Sequence, residues 1–147
     1  MSKTSLCITL AAFLAASAVS AEEWAGTVKS VAGTTSVERQ GKLVPLAVGD
    51  RIVAGDRLVS GKDSRLAVTL RDDTLISAGP DSQLLLKDFS FNPATQDGNI
   101  VVSVLRGVTA MVSGLVAKTN SQAMRVTTPT STIGIRGTEF IVEVEIE

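Results

Sequence analysis

Few side chains in this sequence are of the types found in catalytic or metal sites, and most of those are carboxylates. The sequence has no histidine and no tyrosine, and Cys7 is its single cysteine. Ser-His-Asp and Cys-His catalytic arrangements, and zinc sites built from imidazole or thiolate, therefore need side chains that the chain lacks. Carboxylate or Ser-Lys chemistry remains, and the adjacent pair Asp72-Asp73, with Asp81 nearby, is the strongest candidate.

The spacing of these carboxylates does not favour catalysis. Neighbouring side chains on a strand point to opposite faces, so Asp72 and Asp73 could converge only in a turn. Turn aspartates ordinarily lie in water and accept backbone hydrogen bonds, and we expect this role for both residues. The stretch Asp97-Gly98-Asn99 lacks the other oxygen ligands of a calcium loop. The sequence therefore predicts no catalytic residue, no metal site and no cofactor.

A polar segment near the C-terminus, TPTSTIGIRGTEF from Thr128 to Phe140, is the other unusual stretch. Pro129 cannot donate to a strand ladder and should end the preceding strand, while the hydroxyl groups around it can satisfy freed backbone groups. Gly134 and Gly137 suit a bend or bulge before the last strand. A phosphate-binding glycine loop would open a helix, whereas this segment leads into a strand, so phosphate binding is not expected.

Arg136 is the most distinctive residue of this segment, because it lies between Ile135 and Gly137. Its guanidinium carries five donors that could turn inward and fix the corner against carbonyls or a carboxylate. We expect this structural role rather than ligand binding. Arg136→Ala should then lower the melting temperature more than Arg39→Ala, because carbonyls would lose their partner.

Alternating apolar and polar residues predict short strands along most of the chain. The clearest are segments 64–70 and 140–146, and the second face of the latter is mostly acidic. Turns rich in Gly, Asp and Pro separate the candidates. The fold class is therefore all-β, either a compact β-sandwich or a short β-solenoid-like stack. Further strands are expected at 26–31, 34–39, 42–46, 57–60, 74–78, 83–87, 100–105, 108–112 and 123–128, with one helical turn at 115–121 and a surface loop at 92–99.

A short repetition bears on the choice between sandwich and solenoid. Gly49-Asp50-Arg51-Ile52-Val53 recurs six residues later as Gly55-Asp56-Arg57-Leu58-Val59, and a six-residue period is one mark of stacked β-coils. Two successive Gly-Asp turns that each start a short strand explain the same pattern, and we favour this interpretation. Both architectures stay open on the sequence alone.

The first 21 residues have the order of a secretory signal peptide. Lys3 precedes an apolar run of 14 residues, Leu6 to Val19, and small residues continue to Ala21. The run is shorter than the roughly 18 residues that cross a bilayer as a helix. We expect residues 1–21 to be a helical signal peptide that is cleaved, and residues 22–147 to form one all-β domain in the periplasm with no stable membrane span.

The charge of the expected mature domain limits its partners. Without Lys3 and Cys7 it keeps 13 basic and 15 acidic residues, a net charge of −2, and no cysteine for a disulfide bond. No basic stripe runs along the chain, so nucleic acid is not an expected partner. Packing alone must hold the domain together.

The polar segment resembles the most recognisable element of the FecR domain family. In that family a Thr-Pro is followed by a Gly/Val-Arg-Gly-Thr-x-Phe run before a terminal strand; here these are Thr128-Pro129 and Ile135-Arg136-Gly137-Thr138-Glu139-Phe140. The resemblance extends over roughly residues 49–144, through Gly49-Asp50, Gly55-Asp56, Gly79-Pro80-Asp81-Ser82 and Leu105-Arg106-Gly107. Its motif residues, expected to be structural, are Thr128, Pro129, Gly134, Arg136, Gly137, Thr138 and Phe140.

The resemblance implies an all-β periplasmic domain that takes part in protein binding and signal transduction. The founding members of the family carry a cytoplasmic anti-sigma region and a transmembrane helix ahead of this domain, which senses an outer-membrane transporter. A cleavable signal peptide is predicted where those parts would be. We therefore expect a non-catalytic binding or sensing module whose partner is a protein or envelope component; the alternative is a structural or assembly component of the cell envelope.

Overall fold

The computed structural model describes residues 24–135 and 139–145, which form twelve strands and one short helix. The all-β prediction is confirmed, and the expected signal-peptide helix at 1–21 lies outside the described residues. The elements are β1 (Trp24–Ala32), β2 (Thr35–Arg39), β3 (Lys42–Pro45), β4 (Arg51–Val53), β5 (Arg57–Ser60), β6 (Arg65–Leu70), β7 (Leu75–Ala78), β8 (Gln83–Phe91), β9 (Gly98–Val112), α1 (Leu115–Thr119), β10 (Met124–Thr127), β11 (Thr132–Gly134) and β12 (Glu139–Val144).

The long strand β9 joins two sections of one curled sheet. Its first half pairs with β8 and β10, and its second half pairs with β7 and β12. The first section has the order β3-β2-β5-β8-β9-β10-β11, and the second has the order β4-β1-β6-β7-β9-β12. All of these pairs are antiparallel except β9 with β10. Antiparallel pairing favours the sandwich-like alternative over a solenoid, whose stacked coils pair in parallel.

One hydrophobic core lies between the two sections. Every second residue of β6, namely Leu66, Val68 and Leu70, is buried, as its alternation predicts. In β9 the buried set includes Ile100, Val102, Val104 and Met111. Aliphatic side chains from both sections belong to one contiguous cluster. Since aromatic residues make up only 3% of the chain, branched aliphatic packing must supply most of its stability.

The bend in β9 occurs at Gly107. The sequence predicts two strands, 100–105 and 108–112, whereas the structure has a single strand over Gly98–Val112. Gly107 has φ +84, and a Cβ atom there would collide with Ser82. The prediction was wrong because a glycine between two apolar runs indicates a turn, but here it bends a continuous strand that changes partners.

The repeated Gly-Asp stretches are two turns, as favoured from the sequence. Gly49 and Gly55 have nearly the same conformation, with φ 93 and 94. The strand after the first, β4, pairs with β1 in the second section, and the strand after the second, β5, pairs with β2 and β8 in the first section. The consecutive short strands β4 and β5 therefore pair in different sections of the sheet.

The helix α1 has five residues and falls within the predicted helical turn at 115–121. Within residues 24–135 and 139–145, no helix has the length and apolar character needed to cross a membrane.

Candidate functional site

Asp72 and Asp73 have opposite surroundings, although they are adjacent. Asp72 is fully buried: its Oδ1 accepts a hydrogen bond from the N–H of Thr74 at 3.1 Å, and its Oδ2 accepts from the Thr74 hydroxyl at 2.8 Å and from the N–H of Val116 at 3.2 Å. Asp73 is exposed at φ 69. The expectation that both lie in water was wrong for Asp72, because protein donors replace its hydration. The two carboxylates do not face a common site.

The Asp72–Thr74 turn holds the start of α1. The Thr74 hydroxyl oxygen accepts from the N–H of Gly114 at 3.1 Å, and the Asp72 carbonyl accepts from the N–H of Leu115 at 2.7 Å. A Cβ atom on Gly114 would collide with the Asp72 carbonyl and with the backbone nitrogen of Thr74. The buried carboxylate therefore fixes a tight contact between a turn and a helix, which is a structural role.

A second buried carboxylate, Asp56, is paired with Arg39. The Arg39 Nε and Nη2 donate to Oδ1 and Oδ2 of Asp56 at 2.8 and 2.7 Å, and the N–H of Val53 donates to Oδ2 at 2.9 Å. The Asp56 side chain is 1% exposed and the Arg39 side chain is 41% exposed. Arg39→Ala is therefore an unsuitable control for the predicted effect of Arg136→Ala on the melting temperature, because Arg39 itself compensates a buried charge.

Two serines join stretches of the FecR resemblance that are distant in sequence. The hydroxyl oxygen of Ser60 accepts from the N–H of Ser82 at 3.0 Å, and the hydroxyl oxygen of Ser82 accepts from the N–H of Val108 at 3.0 Å. The contacts bring residues 79–82 against the stretch 105–107. Because the Ser82 hydroxyl satisfies the N–H of Val108 at the bend of β9 and the Ser60 hydroxyl satisfies that of Ser82, the two serines position these strands.

Trp24, at the start of β1, is partly exposed and makes cation–π contacts. Its ring lies under the guanidinium groups of Arg51 and Arg71, at 5.3 and 5.5 Å from the ring centroid, and Arg71 also lies 5.5 Å from the ring of Phe89. Trp24 is 36% exposed. These cation–π contacts link the start of β1 to β4 and to the turn after β6.

The described part of the chain contains no cluster of three or more histidine, cysteine, aspartate or glutamate side chains that could hold a metal ion. The buried polar groups described above all take part in hydrogen bonds with other protein groups. None of these arrangements leaves a buried carboxylate free to act as an acid or base.

The polar segment begins with a tight turn at Thr128. The Thr128 hydroxyl oxygen accepts from the N–H of Ser131 at 3.1 Å and from that of Thr130 at 3.4 Å, and the Thr128 N–H donates to the Ser131 carbonyl at 2.8 Å. Pro129 is exposed within this turn. Gly134 lies in β11, and a Cβ atom there would meet nothing within 4 Å. The turn returns the chain from β10 to β11.

The remaining motif residues divide between described and undescribed parts of the chain. Arg136, Gly137 and Thr138 lie outside the described residues. Phe140 is half-buried in β12 and packs against the core cluster. Strand β11 was not predicted, because its sequence Thr-Ile-Gly is short and lies among turn residues.

A small apolar cleft opens between β11 and β12. Its volume is about 170 Å³, and its lining is almost entirely aliphatic and aromatic. The side chains come from both strands: Ile133, Gly134, Ile135, Phe140, Ile141 and Val142. A cleft of this size and composition suits one or two aliphatic side chains rather than a polar small molecule.

Strand β12 is an open edge. In the described ranges it pairs only with β9, with Glu139 opposite Val112 and Val144 opposite Gly107. Ile141, at 69% exposure, is the most exposed large hydrophobic side chain among the described residues. An unpaired strand edge that also carries an exposed aliphatic residue is a surface to which another strand can pair.

The hydrogen-bonding direction of β12 follows from β9. The carbonyl of Val108 accepts from the N–H of Gly79 at 2.9 Å, on the β7 side of the strand. Strand residues direct their backbone groups to alternate sides, so Thr109 and Met111 bond towards β12, where they pair with Val142 and Phe140. The backbone groups that point to the free edge belong to the residues between and beside those partners: Glu139, Ile141 and Glu143.

Sequence reasoning identified the alternation of β12 and its acidic face, but not that the strand is an edge. Whether a strand lies at an edge depends on which strands pair. The composition of a segment does not specify its pairing with strands that are distant in the sequence. One signal in the sequence could have indicated the edge position. Glu139 and Glu143 alternate with apolar residues in this strand, Glu145 directly follows it, and charged side chains are typical of edge strands.

Comparison with known proteins identifies one family. The profile of the family described as FecR protein matches residues 56–147. This range is more than half of the chain, and it contains Ser60 and Ser82, the bend in β9, and strands β11 and β12. No curated protein and no solved structure matches the sequence significantly. The chain therefore belongs to the FecR protein family.

Proposed function

We propose that this protein is exported to the periplasm and acts there as a non-catalytic module that binds or senses another protein. Membership of the FecR family supports a role related to signalling or sensing. The signal-peptide pattern of residues 1–21 supports export. The single observation that carries the binding role is the open edge of β12, with Ile141 exposed beside an apolar cleft.

The non-catalytic part of the proposal is supported by the use of the buried polar side chains. Asp56 and Asp72 each accept three hydrogen bonds from other groups of the protein. Groups held in this way stabilise the fold and are not available to a substrate. The FecR family is also not known for catalysis.

A site-specific crosslinking experiment in intact cells tests the binding role. A photo-crosslinking amino acid replaces Ile141 on the open edge or, as a control, Val48, which is 63% exposed in the turn before β4. We expect a discrete covalent adduct of one mass from position 141 and none from position 48. Identical adducts from both positions, or none from either, would contradict the proposal. The mass of the uncrosslinked protein tests export, since cleavage after Ala21 removes residues 1–21.

The alternative, an assembly component of the cell envelope, is favoured by a second exposed edge. Strand β3 pairs only with β2 in the described residues, and its Leu43 and Val44 are 64% and 48% exposed. Copies of such a protein would associate through their edges. Light scattering over a range of concentrations separates the two functions, because a binding module keeps the mass of one chain and an assembly component grows.

A further inference from the structure

The open edge of β12 has a charge pattern that limits what can pair with it. Glu139, Ile141 and Glu143 share one face and are all exposed, and Glu145 follows in the same alternation. In an antiparallel pair of two β12 strands centred on Ile141, each Glu139 would lie opposite a Glu143. Like charges directly opposite each other destabilise strand pairing. A second copy is therefore a poor occupant of this edge, and a cationic strand is a good one.

The other face of β12 requires aliphatic side chains in the same partner. Phe140, Val142 and Val144 are buried or half-buried on the core side of the strand. The apolar cleft of about 170 Å³ lies at this face, between β11 and β12. A strand added to the edge would place alternate side chains over this row, and aliphatic residues would cover it without loss of a hydrogen bond.

We infer that β12 receives an extended segment of a partner protein in which lysine or arginine recurs at i and i+4 and aliphatic residues occupy the alternate face. The two cations lie opposite Glu139 and Glu143, a small residue lies opposite Ile141, and backbone groups of the segment bond to the free groups of these same residues. This inference rests on the proposed binding function and specifies the partner's chemistry. The acidic edge excludes nucleic acid and acidic peptides by the same charges.

A synthetic peptide reproduces this pattern. The sequence Thr-Val-Lys-Val-Thr-Val-Lys-Val-Thr, blocked at both ends, reads the same in both directions and so fits a parallel or an antiparallel arrangement. Titration of the mature protein, followed by NMR shifts of the β12 amides, measures the affinity. A peptide with glutamate in place of both lysines is the charge control, and one N-methylated at alternate residues is the backbone control. We expect each control to bind at least about tenfold more weakly.

Variants of the edge test the same contact from the protein side. Ile141→Pro removes an N–H that points to solvent and leaves the β12–β9 ladder intact, and we expect about a tenfold loss of peptide affinity. Ile141→Val keeps this donor and should bind within about twofold of the unchanged protein. Glu139→Lys combined with Glu143→Lys should reverse the preference between the lysine and glutamate peptides. Melting curves verify that each variant is folded, and the N-methylated peptide gives the backbone test without any change to the protein.

The outcomes separate this inference from the function on which it rests. Equal affinity for the lysine and glutamate peptides, or unchanged binding to Ile141→Pro, overturns the cationic-strand inference. If a discrete crosslink from position 141 is nevertheless found in cells, the binding function stands with a different partner. Failure of all three peptides to shift the β12 amides also overturns the inference, and the absence of any crosslink overturns the function as well.

Discussion

Two regions of the molecule use polar side chains in opposite ways. In the buried turns, Asp56, Asp72 and Ser82 are withdrawn from solvent, and each satisfies backbone or side-chain donors of its neighbours. Along the open edge of β12, glutamates are exposed beside backbone groups that no described strand bonds. The turns that contain Asp56, Asp72 and Ser82 thus hold the fold together, whereas the open edge of β12 presents acidic and aliphatic side chains to solvent.

The largest expected effect on the buried turns comes from Asp72→Asn, compared with Asp73→Asn. Both oxygens of Asp72 accept hydrogen bonds, so an amide in either orientation would turn a donor towards a donor. We expect a loss of about 3 kcal/mol in the free energy of unfolding. Asp73→Asn, on an exposed residue of positive φ that asparagine tolerates, should change it by less than about 0.5 kcal/mol. Equal urea denaturation midpoints for the two variants would refute the structural role of Asp72.

Gly107→Ala should come next in size, with Gly134→Ala as its control. A Cβ atom at Gly107 meets Ser82 at a φ of +84, whereas a Cβ atom at Gly134 meets nothing within 4 Å. We expect Gly107→Ala to lower the free energy of unfolding by about 2 to 3 kcal/mol, because the new side chain strains the backbone and displaces the bend in β9. The control should cost less than about 1 kcal/mol. Thermal unfolding of both proteins tests the difference, and a small effect at Gly107 would show that the bend does not depend on glycine.

A smaller loss is expected from Arg39→Ala, and Arg57→Ala is its matched control. Arg39 pairs with a carboxylate that is 1% exposed, while Arg57 lies 3.6 Å from Glu38 in a pair whose side chains are 41% and 42% exposed. Removing Arg39 leaves the buried Asp56 charge without this partner and should lower the free energy of unfolding by about 2 kcal/mol. The loss is not larger because the Arg39 guanidinium is itself exposed and partly screened by solvent. Removing Arg57 should cost less than about 0.5 kcal/mol. Similar melting temperatures for the two variants would argue against a special role of the Asp56 pair.

The smallest effect has the opposite sign. The Thr109 hydroxyl is fully buried in β9 and has no hydrogen-bond partner among the described residues. Thr109→Val keeps the shape of the side chain and removes this hydroxyl. We expect an increase of about 1 kcal/mol in the free energy of unfolding, measured by urea denaturation. A decrease would indicate that the hydroxyl is satisfied in solution.

Several features of the fold could be predicted from the sequence because they depend on local patterns. The alternation in 65–70 and the Gly-Asp turns before β4 and β5 follow from residue types within a few positions of one another. The burial of Asp72 could not be predicted, because one of its donors, the N–H of Val116, lies 44 residues further along the chain. The continuity of β9 through Gly107 likewise depends on Ser82 and Val108, which only the folded chain brings together.

The candidate site was predictable only in part. The acidic and aliphatic faces of the last strand can be seen in its alternation, and Phe140 stands where the family motif places it. The open edge and the cleft beside Ile133 are properties of strand order, which results from pairing over the whole chain. Arg136, the residue that the sequence singled out most strongly, lies outside the described residues, so its predicted structural role stays a prediction.

Hydrogen exchange of individual amides in β12 tests the central claim most directly, namely that this strand is an open edge in the free protein. In a dilute sample of the mature protein, we predict fast exchange at Glu139, Ile141 and Glu143, and slow exchange at Phe140 and Val142, which bond to β9. Alternation of this kind is the signature of a strand paired on one side. Slow exchange at all five amides would show that another segment already covers the edge and would contradict the account.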